Sequence, residues 1–168
     1  MKEHQQGAVR PMTEADLPAV LAVQAACYPP AMQEAAEVVL ARLRAARGTT
    51  LVAGDEEGVC AYVFAYPSRL GKLTPLGAPF MLPDAPDTLY THDLAVAPRA
   101  LGRGLARLLA QALMTRGRAQ GMRHAALVSV QDSRRFWEGL GYRLDATRPP
   151  CPALASYPDG ALYMTRAL

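Results

Sequence analysis

The chain has 168 residues, 51% of them hydrophobic and 20% charged, with a formal net charge of +3. That size suits one domain (residues 1–168) with a full core, and the composition is ordinary for a soluble globular protein. Arginines are scattered without a polybasic run, no stretch approaches the roughly 20 apolar residues of a membrane span, and the start Met1-Lys2-Glu3-His4 lacks a signal-like core, so a cytoplasmic protein with no nucleic-acid or membrane partner is expected.

In chain order, a short strand at Val9-Arg10 precedes a helix start at Thr13-Glu14-Ala15-Asp16, with Thr13 as the cap and acids in the first turn. Leu17, Val20 and Leu21 continue that helix, and Tyr28-Pro29-Pro30 breaks it. A second helix is expected from Met32 to Ala46, stopped by Gly48. Thr50–Ala53 and Val59–Tyr66 form a hairpin around Gly54–Gly58. The segment from Pro67 to Asp87 is long and rich in Pro, Gly and Leu, and its span from Pro67 to Pro86 is a candidate lid. Thr88–Val96 reads as a central strand, followed by a glycine turn and a helix to Gln120. Ala125–Val130 is a fifth strand, and Asp132 or Ser133 caps a short helix carrying Phe136 and Trp137. Tyr142–Leu144 is strand-like, Arg148-Pro149-Pro150-Cys151-Pro152 is irregular, and Ala161–Arg166 is a last strand. Cys27, Cys60 and Cys151 are isolated, without the spacing of a disulfide framework or a zinc site, so no metal is expected.

Arg99-Ala100-Leu101-Gly102-Arg103-Gly104-Leu105-Ala106 carries the most information. A strand that turns through glycines into a helix presents free N–H groups and the positive end of the helix dipole, which suits a phosphate or pyrophosphate. Gly102 and Gly104 let an anion approach the main chain closely. The dinucleotide fingerprint fails here, because Arg107 stands where its third glycine belongs and no acid follows about 20 residues on. The Gly-Lys-Ser/Thr of a P-loop is absent.

The order β-α-α-β-β-β-α-β-α-β-β, the pattern Arg99-x-x-Gly102-x-Gly104 after Leu94-Ala95-Val96, and Ser133-Arg134-Arg135-Phe136-Trp137-Glu138-Gly139-Leu140-Gly141-Tyr142 together resemble the GNAT acyltransferase superfamily over nearly the whole chain. The resemblance implies a mixed, mostly antiparallel α/β sheet of about seven strands with about four helices. It also implies an N-acetyltransferase that moves an acetyl group from acetyl-CoA to a primary amine of a small molecule or peptide by direct transfer. A homodimer is compatible with that family. Two rivals stay open: an acyl-CoA-binding regulator of the same fold without catalysis, and a structural domain without cofactor.

By the same resemblance, the main chain from Arg99 to Ala106 holds the pyrophosphate, with Arg99 fixing the loop and Arg103 facing cofactor or solvent. Leu94, Ala95 and Val96 pair with the pantetheine arm as an added strand would. An N–H of that strand polarises the thioester carbonyl. Ser133, Phe136 and Trp137 border the cofactor, and Trp137 replaces the tyrosine with which many members protonate the leaving thiolate. Indole is not a useful acid, so Trp137 reads as a packing wall and Tyr142 as a weaker substitute. An alkylammonium has a pKa of about 10.4, so a base is required, and His92 and Asp93 are the candidates. Neighbours on a regular strand point to opposite faces, so only one of the two reaches the cleft unless a bulge intervenes. Tyr28, Glu34, Tyr66 and Tyr90 are the candidate lining of the amine pocket.

Overall fold

A computed structural model describes residues 8–145 and 152–168. The polar start and the stretch Arg148-Pro149-Pro150-Cys151 fall outside the described residues.

The chain begins with β1 (Val9–Pro11) and enters α1 (Leu17–Cys27) through a short 3-10 turn. Thr13 starts that turn as expected: its amide and hydroxyl both donate to Asp16 Oδ2, at 2.8 and 3.1 Å. The second helix, α2 (Ala36–Ala45), begins later than the residue pattern suggests. Gln33 is extended after the Pro30–Met32 turn, and the Gln24 side-chain amide grips the backbone of Glu34 at both ends, donating to its carbonyl at 3.0 Å and accepting from its N–H at 3.1 Å.

The hairpin β2 (Thr50–Asp55) and β3 (Gly58–Ser68) follows, with a tighter turn than expected because Gly54 and Asp55 remain paired. Then come β4 (Thr88–Val96), α3 (Leu105–Ala119), β5 (His124–Ser129), α4 (Arg134–Glu138), β6 (Arg143–Leu144) and β7 (Leu162–Ala167). The seven strands form one sheet in the order β1-β2-β3-β4-β5-β7-β6. All neighbours are antiparallel except β4 and β5, whose parallel pairing is made across a helical connection, as such connections require. Among the described residues this is a mixed α/β fold with a mostly antiparallel seven-stranded sheet and four α-helices. Among the described residues no helix is long and apolar enough to cross a membrane.

The two central strands carry the core and also set the site. Tyr62 and Phe64 of β3 look onto a cavity shared with Val20 and Leu21 of α1 and Val39 of α2. On β4, Leu89 packs at the foot of Gly117 in α3, where an added Cβ would come within 3.1 Å of it. The next residue, Tyr90, turns its ring to Tyr66 and His92.

Candidate functional site

Two irregularities of β4 create the site. Its pairing with β5 covers only Thr88–Thr91 against His124–Leu127, although both strands run on. Beyond Thr91 the sheet is split, and residues 92–94 and 96 are only partly buried there. The register with β3 also slips at this point: Phe64 pairs with Asp93 and Ala65 with Thr91, leaving His92 as an extra, bulged residue. The bulge breaks the alternation of faces, so both His92 and Asp93 line the same cavity.

Past the bulge the strand is regular again. Ala97 N–H pairs with Cys60 of β3 at 2.7 Å, so alternation turns Leu94 and Val96 toward the gap. The end of α1 meets them there. Tyr28 Oη donates to the Leu94 carbonyl at 3.1 Å, and the Cys27 thiol donates to the Val96 carbonyl at 3.1 Å. On the far side, Gln131 and Asp132 adopt positive φ of 51° and 56° where the chain leaves β5, and Gln131 Nε2 reaches the Cys27 carbonyl at 3.3 Å.

The open end of the gap leads to the glycine turn. Gly102 and Gly104 have φ of 79° and 75°, the left-handed region that side chains disfavour, and Gly104 is the N-cap of α3. Nothing lies within 4 Å of a Cβ built at either position, so the space above them is open to a ligand. Arg99 Nη1 contacts both oxygens of Asp55, at 2.9 and 2.7 Å. Arg103 stands half in solvent. It too binds Asp55, at 2.9 Å, because the β2–β3 turn places that carboxylate between the two arginines. Of the flanking residues, Ala100 and Leu105 are buried, Ala106 is half-buried and Leu101 is exposed.

At the closed end lies a buried polar cluster. Asp93 accepts hydrogen bonds from Tyr28 on Oδ1 (2.7 Å) and from Tyr62 on Oδ2 (2.6 Å). Burial pushes its carboxyl pKa up, against the pull of the two phenols. Next to it, Glu34 forms an ion pair with Arg42 and lies 3.0 Å from His92 Nε2, with the Arg42 and Glu34 side chains 2% and 6% exposed. Burial alone would raise Glu34, but the hydrogen bonds and charges of His92 and Arg42 outweigh it and hold the carboxyl at about 2. His92 Nε2 is also 2.8 Å from Arg42 Nη1, so it either donates to Glu34 or accepts from Arg42, according to its tautomer. Nδ1 faces Tyr157 Oη at 3.4 Å. The cavity enclosed by Gln24, Glu34, Arg42, Tyr62, His92 and Asp93 measures about 10 Å³, room for a single water.

The candidate lid closes this cluster. Arg42 donates to the carbonyls of Ala78 and Pro75, and Gly77 N–H donates to Glu34 Oε2 at 2.7 Å. Phe80 stacks on Tyr66 with centroids 4.2 Å apart and lies under the Arg42 guanidinium.

Of the four expected pocket residues, Tyr28 and Glu34 join the cluster and two do not. Tyr66 is spent on Phe80 and on a hydrogen bond to Thr74, and Tyr90 is fully buried against Tyr66, so both support the site from the core. Trp137 is likewise core: it packs with Met114, Leu127, Leu140, Tyr142 and Met164 rather than standing free beside the gap. Phe136 and Leu94 are half-buried against the same cluster. Ser133 sits at the N-cap of α4 without capping it, its hydroxyl 3.0 Å from that of Ser129. Arg42, Tyr62, Gln24 and Tyr157 escaped the reading of the sequence. A buried arginine is rare enough that nothing in its local pattern marks it.

Residues 17–142 match the profile of the Acetyltransferase (GNAT) family. The chain belongs to that family. It is similar to the L-2,4-diaminobutyric acid acetyltransferase of Chromohalobacter salexigens, at 32% identity over 69% of this chain and 54% of that protein. The chain thus spans about half the length of this curated relative. Its fold is similar to the loading GNATL domain of CurA from Lyngbya majuscula (TM-score 0.79, 11% identity, 95% of this chain and 96% of the other). It is also similar to Arabidopsis thaliana Naa50, solved with the bisubstrate analogue CoA-Ac-MVNAL (TM-score 0.71, 10% identity, 97% and 99% covered).

Proposed function

We propose that the protein is an N-acetyltransferase that moves the acetyl group of acetyl-CoA directly onto the primary amine of a small molecule or peptide. The observation that carries this reading is the buried Asp93 carboxylate at the closed end of the β4–β5 gap, hydrogen-bonded by two neutral phenols. A carboxylate so placed matches the ammonium of an incoming amine, and a small diamino acid such as the relative's substrate falls in that class.

Acetyl-CoA fits the residues present. The turn at Gly102–Gly104 offers backbone N–H groups to the pyrophosphate, and the gap-facing backbone of Leu94 and Val96 offers partners to the pantetheine amides. The Leu94 N–H faces the gap where the thioester carbonyl would lie and would stabilise its developing negative charge. Asp93 is the base. Both nitrogens of His92 are already engaged, by Glu34 or Arg42 and by Tyr157, so His92 serves to hold the bulge. Raising Asp93 above the ordinary carboxylate range makes it a better acceptor for the ammonium proton. The cavity is too small for an amine substrate, so the 69–87 segment and the end of α1 must move apart to admit it.

Initial velocities at varied acetyl-CoA and amine test direct transfer. Lines that intersect in double-reciprocal plots are expected. Parallel lines would mean a covalent acyl-enzyme and overturn the direct route.

A further inference from the structure

Cleavage of a thioester leaves a thiolate, and neither Trp137 nor Tyr142 is placed to protonate it. Trp137 is an indole within the core, and Tyr142 is buried beside it. The geometry points to Tyr28, at the end of α1, as the group that protonates the departing sulfur and is itself recharged by Asp93. This rests on the acyl-transfer reading above.

Tyr28 has one hydroxyl hydrogen and two acceptors, Asp93 Oδ1 at 2.7 Å and the Leu94 carbonyl at 3.1 Å. Leu94 is the first residue beyond the bulge whose backbone turns into the gap. An acyl-CoA arm anchored at Gly102–Gly104 and running back along β4 brings its thioester to that residue. The Tyr28 hydroxyl therefore lies between the base and the place where sulfur departs. Burial, with the Asp93 charge added to it, holds the Tyr28 hydroxyl well above its ordinary range, so it stays protonated between turnovers. Cys27 and Glu34 face it as well, and neither carries a positive charge that would favour a phenolate.

An ammonium proton passes to Asp93, and the freed nitrogen pair forms the C–N bond at the thioester carbon. The carbonyl pair moves to oxygen and returns as the C–S bond breaks, leaving its pair on sulfur. Sulfur takes the Tyr28 hydrogen, and Tyr28 oxygen takes the proton held by Asp93. The second nitrogen proton leaves to water, so ammonium and thioester give amide, thiol and one proton.

Tyr62 supplies an internal control. It donates to the other Asp93 oxygen at 2.6 Å but comes from β3, so its hydroxyl hydrogen is directed to Asp93. Tyr28→Phe and Tyr62→Phe are compared on acetyl-CoA and on its oxygen-ester analogue, whose alkoxide leaving group depends far more on an acid. Loss of an acid should lower kcat on the thioester by about tenfold or more, with acetyl-CoA affinity unchanged. The expected signature is that Tyr28→Phe costs the oxygen ester at least tenfold more than the thioester, whereas Tyr62→Phe costs both alike. Equal losses in Tyr28→Phe, or a wild type inert to the oxygen ester, would overturn the assignment. Should Tyr28→Phe not fold, fluorotyrosine in place of Tyr28 keeps the shape with a more acidic hydroxyl. It must then change the ester-to-thioester rate ratio, and an unchanged ratio counts against the acid. If the wild type transfers no acetyl group from acetyl-CoA to any amine, the reading of the function fails instead.

Discussion

His92 and Asp93 are adjacent in the chain yet line one cavity, because His92 is the extra residue of a bulge opposite Phe64 and Ala65. The same bulge lies immediately beyond the last β4–β5 pair, Thr91 with Leu127. One backbone irregularity thus places a carboxylate, a strand edge and the opening of the sheet together. Bulges often mark such places because they re-aim side chains and end pairing.

Asp93→Asn separates function from folding. Removing the proposed base should lower kcat by about 100-fold or more. Stability moves the other way. Burial raises the Asp93 carboxyl in the folded state, so its ionisation at neutral pH opposes folding. The variant should therefore unfold at a urea concentration equal to or above that of the wild type at pH 7. A large loss of stability alongside the loss of rate would make Asp93 a structural residue.

Arg42→Met leaves Glu34 charged in a buried setting and removes the donors to Ala78 and Pro75. Breaking one side of such a pair costs about 3–5 kcal/mol. Chemical denaturation should show that loss, and hydrogen exchange should quicken in the 74–80 segment before it does elsewhere. Uniform exchange across the chain would remove Arg42 as the fastening of the lid.

Acid should weaken the fold through two carboxylates. Asp16, hydrogen-bonded by Arg10 and Thr13, and Glu34, held by His92 and Arg42, both lie at about 2. Their folded-state values are depressed, so their contribution is complete above the unfolded values of about 4 and is lost as pH falls toward about 2. Stability measured at pH 5, 4 and 3 should fall steeply in the wild type and less so in Asp16→Asn. Parallel curves would mean that Asp16 is not linked to folding.

Gly104→Val tests the proposed phosphate site at the glycine turn. A β-branched residue at φ 75° costs about 1–2 kcal/mol in backbone strain, and its side chain occupies the open space above the turn. Acetyl-CoA affinity measured by calorimetry should drop at least tenfold. Unchanged affinity would move the cofactor elsewhere.

The bounds of β4 and the turn to α3 were legible because they depend on local signals: a β-branched and aromatic run, then glycines before an amphipathic helix. The bulge was not, since it exists only in the pairing of β4 with β3. The start of α2 was misplaced for a similar reason. Glu34 looks helical by neighbours, but Gln24, ten residues away, holds its backbone in a different conformation and turns its side chain toward His92. Tyr66 and Tyr90 carry polar edges that suggest a pocket, and only the packed structure shows them facing the core. The contacts of Arg99 and Arg103 with Asp55 were not legible either, because Asp55 lies 44 and 48 residues earlier and meets them only through the hairpin.

The most direct measurement is free CoA released by the purified protein from acetyl-CoA, with and without a panel of amines that includes L-2,4-diaminobutyrate and peptides. Release that depends on an amine, yields its N-acetyl derivative and collapses in Asp93→Asn is the predicted result. Tight retention of acetyl-CoA with no release under any amine would contradict the account and make the protein an acyl-CoA-binding regulator.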